Sequence, residues 1–328
     1  MSRPNLFHYA TSELSQDAFF CWLAKCADPK VEDLELREVG QKFLELLLST
    51  VDGILPVEIE KVEIRRQWNH IDILVEVNDK YAILIEDKAG TADHSGQLDR
   101  YRAIAEEHLP NRRIVPVYIQ TYIQPGYHGV RKAKFGVVER KQLLEILPEV
   151  AADSVLAQFR EHLLNLDSDF EAYRILRQGE TWSARAWQGY FNELSTRIEG
   201  CGWNYVSNPS GGFFAAHWAW TALEWGEVYL QLSEQKLSVR ILVTNPQPTF
   251  CSIELFQKAL GSDAWTLADQ RKPRRGRTQN LVTLDSDHRR FDHAGSFDLD
   301  STVVELSRHT ESLARFIKSL SAEASSIN

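Results

Sequence analysis

The sequence is poor in cysteine and has no long apolar run, and each scarcity removes a class of protein. Cys21, Cys26, Cys201 and Cys251 include no CxxC pair. Such spacing offers neither a zinc knuckle nor a disulfide framework, so free thiols in a reducing compartment are expected. No apolar stretch approaches the roughly 20 residues that span a bilayer. The opening MSRPNLFHYATSELSQDAFF lacks an apolar core followed by a small-residue cleavage site. The expectation is a cytoplasmic chain with no membrane partner. A nucleophile elbow, a P-loop and a zinc motif are also missing.

What is present is a surplus of acid. Against 37 Lys and Arg stand 46 Asp and Glu, for a net charge of -9. That balance argues against a protein that coats nucleic acid indiscriminately. It leaves room for a nucleic-acid enzyme, whose metal site adds acids and whose basic lining is local. At 328 residues, 43% hydrophobic and 25% charged, the chain is globular in composition and long enough for two cores.

Hydrophobic periodicity orders the first half. Helices are expected over 11–25 and 31–51, then strands over 57–67, 70–77 and 80–87. A helix over 95–107, strands over 113–120 and 135–138, and helices over 141–147 and 153–176 follow. This order predicts an α/β domain with a mixed sheet flanked by helices. Composition shifts near residue 180, beyond which lie seven of the nine tryptophans. The expected division is therefore a first domain over 1–178 and a second, smaller α+β domain over 179–328. In the second, a helix over 182–199 precedes a three-stranded antiparallel meander over 213–225, 227–233 and 236–243. Helices over 252–260 and 302–320 close it. Phe214, Trp218 and Trp220 alternate along one strand and read as core packed against a helix, in preference to platforms for bases.

The most informative stretch is NHIDILVEVNDKYAILIEDK, residues 69–88. Acids interrupt its two apolar runs, and a buried carboxylate costs several kcal/mol unless a cation or a hydrogen-bond network answers it. Side chains alternate along a strand, so Glu86 and Lys88 share a face and Asp87 points to the other. Asp72 faces Glu86 if the connection is a three-residue loop, Asn78-Asp79-Lys80, or if a bulge shifts the register. A two-residue turn would put the two acids on opposite faces. Facing carboxylates suit a hard cation such as Mg²⁺ or Mn²⁺. Lys88 cannot ligate it, but can steer or deprotonate a water or neutralise charge developing on a phosphate.

Asp72, followed by Glu86-Asp87-Lys88 at the end of the next strand, resembles the PD-(D/E)XK nuclease superfamily. Ile71 stands where the family name has proline. Gln97 and Tyr101, on one face of the next helix, look like the Gln-x-x-x-Tyr helix of its exonuclease-like branch. The Ser12-to-Ala24 helix looks like the opening of an uncharacterised bacterial group. The resemblance covers about residues 8 to 125 and implies a restriction-endonuclease-like fold and metal-dependent hydrolysis of phosphodiesters in nucleic acid. DNA is favoured over RNA, and a role in bacterial defence or DNA processing is implied. Asp72, Glu86 and the Asp87 carbonyl would hold Mg²⁺ or Mn²⁺, and Lys88 would be the catalytic lysine. Glu13 would be a further metal ligand from an early helix, with Glu45 its competitor. Gln97 and Tyr101 would touch substrate phosphate or form the site wall. The alternative is a binding or sensor module that kept the fold without cleavage.

Two clusters lie outside this motif. Arg271, Lys272, Arg274, Arg275 and Arg277 crowd one loop, which either tracks a phosphate backbone or is a solvated connection. Asp285, Asp287, His288, Asp292 and His293 lack the ordered spacing of a calcium loop and read as non-ligating. A protein partner or a second copy of the chain, met through the second domain, stays open.

Overall fold

Short polar side chains fix where the first helices start. Ser12 accepts a hydrogen bond from the Ser15 N–H at the head of α1 (Glu13–Cys26), and Asp33 does the same for Leu36 at the head of α2 (Leu34–Ser49). The two helices pack closely, because a Cβ at Gly40 would lie 2.4 Å from the Ala27 nitrogen. Beside this crossing the Phe20 and Phe43 rings stack at 5.6 Å. These details come from a computed structural model that describes residues 4–54, 57–89, 96–149, 154–208, 211–245, 265–268 and 274–325. Contacts divide the chain into two compact units, Met1–Ser168 and Asp169–Asn328.

The first unit holds a five-stranded sheet in the order β1 (Val62–Trp68), β2 (Ile71–Val77), β3 (Tyr81–Lys88), β4 (Arg113–Gln120) and β5 (Gly136–Glu139). The first three strands run antiparallel, and β3, β4 and β5 run parallel. A parallel pair needs a crossover, and α3 (Gln97–His108) supplies it between β3 and β4. Every residue of β3 is buried, as a strand covered on both faces must be. One face packs Leu74, Ala82 and Leu84 against Leu98, Tyr101 and Ala105 of α3. Helices α4 (His128–Lys132), α5 (Arg140–Ile146) and α6 (Val155–Glu171) follow. The expected mixed sheet is therefore present, with β1 beginning five residues later than expected and α4 unforeseen.

The β2–β3 connection decides the register. Asn78 and Asp79 take positive φ, +53° and +52°, a region that short polar side chains tolerate. The Lys80 N–H donates to the Val77 carbonyl, and Val77 pairs with Tyr81. The loop thus has three residues, and the same register runs on to pair Ile73 with Ile85. One step further it sets Asp72 opposite Glu86.

The second unit carries a six-stranded antiparallel sheet. Its strands are β6 (Gly202–Asn208), β7 (Gly211–Leu223), β8 (Gly226–Ser233), β9 (Lys236–Val243), β10 (Trp265–Leu267) and β11 (Thr278–Leu284). Their order is β10-β11-β9-β8-β7-β6. The expected meander, β7 to β9, lies at its centre, but β6, β10 and β11 extend it beyond the sequence reading. Helices α7 (Ala184–Arg197) and α8 (Leu299–Ser325) belong to this unit. The helix expected over 252–260 lies outside the described residues. Val228, Leu230 and Leu232 alternate with more polar neighbours and are fully buried.

Trp218 is buried and donates its indole N–H to Thr310 Oγ1 of α8 at 2.8 Å. Trp220 corrects the sequence reading. Between Trp218 and Thr221 the register shifts by one residue, and Ala219 sits at φ +57°. This bulge turns Trp220 to the opposite face, where it remains 45% exposed. Among the described residues no helix is long and apolar enough to cross a membrane.

The α1–α2 crossing generates a stability test. Gly40→Ala forces a methyl into backbone of the neighbouring helix end, an overpacking worth about 1–3 kcal/mol. Thermal unfolding should show a Tm several degrees below that of the unsubstituted protein. An unchanged Tm would contradict the close approach.

Candidate active site

Side chains from α1, β2, β3 and α3 meet at one end of the first unit's sheet, where the parallel strands β3 and β4 finish. Strand ends of this kind are where open α/β sheets place ligands. Lys88 is central. Its Nζ lies 2.7 Å from Glu86 Oε1, 3.6 Å from Glu13 Oε2 and 4.0 Å from Asp72 Oδ2. The hairpin register makes this possible, because Glu86 and Lys88 share a strand face and Asp72 comes from across it.

The backbone completes the hold on these acids. The Asp87 N–H donates to Asp72 Oδ2 at 3.2 Å, and the Ala89 N–H donates to Glu13 Oε1 at 3.2 Å. Gln97 donates from Nε2 to Glu86 Oε1 at 3.0 Å and to the Tyr101 hydroxyl at 2.8 Å. Tyr101 is buried in the core under α3. Gln97 thus links the buried Tyr101 hydroxyl to Glu86. Glu45, the competitor of Glu13, is exposed on α2.

On the other face of β3 lies a second set of polar groups that sequence reasoning missed. Asp87 is fully buried, and Gln16 of α1 donates to both its oxygens, at 2.7 and 2.9 Å. Thr121, just beyond β4, donates to Gln16 Oε1 at 3.1 Å. Asp17 is buried beside them, with Oδ1 lacking a hydrogen-bond partner. The missed signal was helical spacing: Gln16 and Asp17 stand three and four residues after Glu13, on one helix face.

Crowding of acids shows in their proton affinities. Burial first, and the Asp72 charge second, push Glu86 up to about 7 against the pull of Lys88. Burial and Asp72 likewise push Asp17 up to about 7, with Arg66 opposing. Asp87 is raised well above the carboxylate range by burial and then by Asp17, despite the Gln16 hydrogen bonds. Burial alone would lower the Lys88 pKa, but its hydrogen bond to Glu86 and the charges of Glu86, Glu13 and Asp72 outweigh that and raise it. Lys88 is held as an ammonium.

These residues fit a hard divalent cation on two observations. Glu86 Oε2 is buried without a hydrogen-bond partner. The charge of Asp72 raises the proton affinities of Glu86, Asp17 and Asp87, and Glu13 adds to those of Asp17 and Asp87, while Lys88 opposes at Glu86 and Asp17 and Arg66 at Asp17. Among the described residues no group of three or more His, Cys, Asp or Glu side chains is arranged as a metal cage. Glu13, Asp72 and Glu86 gather instead round the Lys88 ammonium.

Arg274, Arg275 and Arg277 are exposed in the second unit, and Arg271 and Lys272 lie outside the described residues. His288 is buried against the Tyr190 hydroxyl, 3.1 Å away.

A family model for the PD-(D/E)XK nuclease superfamily matches residues 7–204. The match spans Glu13, Asp72, Glu86, Asp87, Lys88, Gln97 and Tyr101. No curated protein and no solved structure matches the chain.

The raised acids set a pH dependence. The folded protein keeps protons on Glu86 and Asp17 that the unfolded chain releases at their ordinary values of 4.5 and 3.8. Their stabilising contribution is full below those values and is lost as pH rises towards about 7. Glu86→Gln, which stays neutral, should therefore gain Tm relative to the unsubstituted protein across that window in metal-free buffer. A Tm difference independent of pH would contradict the raised Glu86.

Proposed function

The chain belongs to the PD-(D/E)XK nuclease superfamily, whose members generally use divalent metal ions, and on that premise we propose a Mg²⁺- or Mn²⁺-dependent nuclease that hydrolyses phosphodiester bonds, DNA in preference to RNA. The observation that carries this reading is the Lys88 ammonium set among Glu13, Asp72 and Glu86, beside a buried Glu86 oxygen with no partner.

Asp72, Glu86 and the Asp87 main-chain carbonyl would hold the cation, with Glu13 a further oxygen ligand. When bound, it supplies Lewis-acid polarisation of a phosphoryl oxygen and an activated nucleophile. The protein's own groups do the rest. Gln97 fixes one oxygen of Glu86, leaving the other free to ligate. The Asp87 N–H holds Asp72 in place across the hairpin. Lys88, held protonated by its neighbours, acts as a donor to a phosphodiester oxygen and stabilises the charge that develops there. It is the wrong species to abstract a proton while the acids remain ionised. Gln16 and Thr121 anchor Asp87 from behind, so the main chain of the tripeptide stays where its carbonyl is needed.

The chemistry is assigned to residues 1–178, and residues 179–328 to substrate recruitment. Arg274, Arg275 and Arg277, with Arg271 and Lys272, would track the phosphate backbone. A place in bacterial defence or DNA processing is part of the same proposal.

Labelled single-stranded DNA, duplex DNA and RNA, each incubated with Mg²⁺ or Mn²⁺, test this directly. The unsubstituted protein should cleave at least one, with DNA cut faster than RNA. Lys88→Ala, assayed below its own Tm, should lose about 10²–10³-fold or more in rate. Metal-dependent cleavage of none, or equal cleavage by Lys88→Ala, would overturn the reading in favour of a non-cleaving sensor module.

A further inference from the structure

The second unit's sheet has two different faces. Val228, Leu230, Leu232, Leu237, Val239 and Ile241 are buried on one. The other carries Tyr229, Gln231, Ser238 and Arg240 at the intervening positions. Trp220 joins this second face only because of the β7 bulge. Its ring stacks on Tyr229, with centroids 3.9 Å apart and planes 12° from parallel, and His217 stands edge-on at 5.9 Å. A side chain of this size would contribute more to stability if it were buried. Instead Ala219 takes the left-handed region, costly for an L-residue with no polar side chain, and the indole is aimed outward.

Around these rings lies a concavity of about 390 Å³, within the size range of ligand sites. Besides the aromatics its lining includes Asn204, Gln231, Arg240 and Thr278, and among the described residues it contains no carboxylate. Arg240 donates to Thr278 Oγ1 at 3.2 Å. Among the described residues it pairs with no acid, and its buried Nε has no partner. Thr278 directly follows the exposed Arg274, Arg275 and Arg277, so a basic rim adjoins the aromatic floor. A neighbouring hollow of about 660 Å³ over β9 and β11 shares Phe213, Gln231 and Arg240 but adds Asp285 and Asp287. The acid-free part is the one at Trp220.

We propose that this face binds single-stranded nucleic acid, with Trp220 stacking on an unpaired base and Arg240 meeting the adjoining phosphate. Stacked rings accept any base, amide side chains add hydrogen bonds to base edges, and an unpaired guanidinium supplies the charge a phosphate needs. Bases inside a duplex cannot present a free π-face, so the surface selects unpaired strand. The proposal rests on the reading of the substrate as nucleic acid. It adds that the bound strand is single.

Fluorescence anisotropy of the full-length protein in EDTA, where metal-dependent cleavage is suppressed, tests it. The probes are a labelled oligothymidylate, an abasic strand of equal length, and a duplex. Oligothymidylate should bind tightest. Trp220→Ala should weaken it roughly tenfold, as loss of one stacked base predicts, and should leave abasic binding unchanged. Trp220→Phe should restore most of the affinity. Arg240→Gln should weaken the oligothymidylate and abasic strands alike and lower the salt slope by about 0.7. If Trp220→Ala lowers Tm sharply, Trp220→Phe and Arg240→Gln carry the test. Equal affinity of Trp220→Ala and unsubstituted protein for oligothymidylate overturns the proposal, as does equal binding of abasic strand by the unsubstituted protein. The first result would point to a protein partner for this face, and the second to binding through the phosphate backbone alone. Cleavage assayed in parallel separates the two readings. Trp220-dependent binding without cleavage would sink the nuclease alone, and cleavage with Trp220-independent binding would sink only the platform.

Discussion

Burying an ionised carboxylate is among the costliest things a fold can do without a counter-ion, and the end of β3 is built around that cost. Glu86 is 1% exposed and looks across the hairpin at a second acid. One ammonium, two residues along the same strand face, answers it. Asp87, pointing the other way, is answered by the Gln16 amide of α1 instead. One tripeptide thus sets carboxyl groups on both faces of a central strand, and neighbouring elements are placed to suit. Helix α1 begins at Ser12, which sets Glu13 and Gln16 over the strand end. Helix α3 follows β3 so that Gln97 turns back onto Glu86. The cluster still holds more acid than base, and a divalent cation is the natural completion of such a set.

Most of this was legible in the order and periodicity of residues. Apolar alternation located β2 and β3, and the spacing between Asp72 and Glu86 needed only the loop length to become a register. That loop was the uncertain point, since one residue fewer would have put the acids on opposite faces. Asn78 and Asp79, both able to take positive φ, resolve it. Gln16 and Asp17 went unseen because helical spacing puts them on the Glu13 face without saying that the face points inward. The neighbouring strand end gives that face its partner, Asp87.

The second unit was harder to read for reasons of the same kind. Strand β10 has three residues, and β11 opens with the polar Thr278-Gln279-Asn280, so neither offers the alternation that announces a strand. Trp220 was assigned to the core by counting in twos from Trp218. A single bulged residue reverses that count for everything beyond it, and nothing in the local sequence marks Ala219 as the place. The consequence is functional as well as descriptive, because the reversal moves an indole from the packed face to the open one.

Manganese scatters anomalously and takes the same hard oxygen ligands as magnesium, so a crystal of the protein equilibrated with Mn²⁺ tests the central claim most directly. The account predicts an anomalous peak between the Asp72 and Glu86 carboxylates, with the Lys88 ammonium moved off Glu86. A peak elsewhere, or Lys88 still seated on Glu86 with no peak beside it, would contradict the assignment of this cluster as the metal-dependent hydrolytic site.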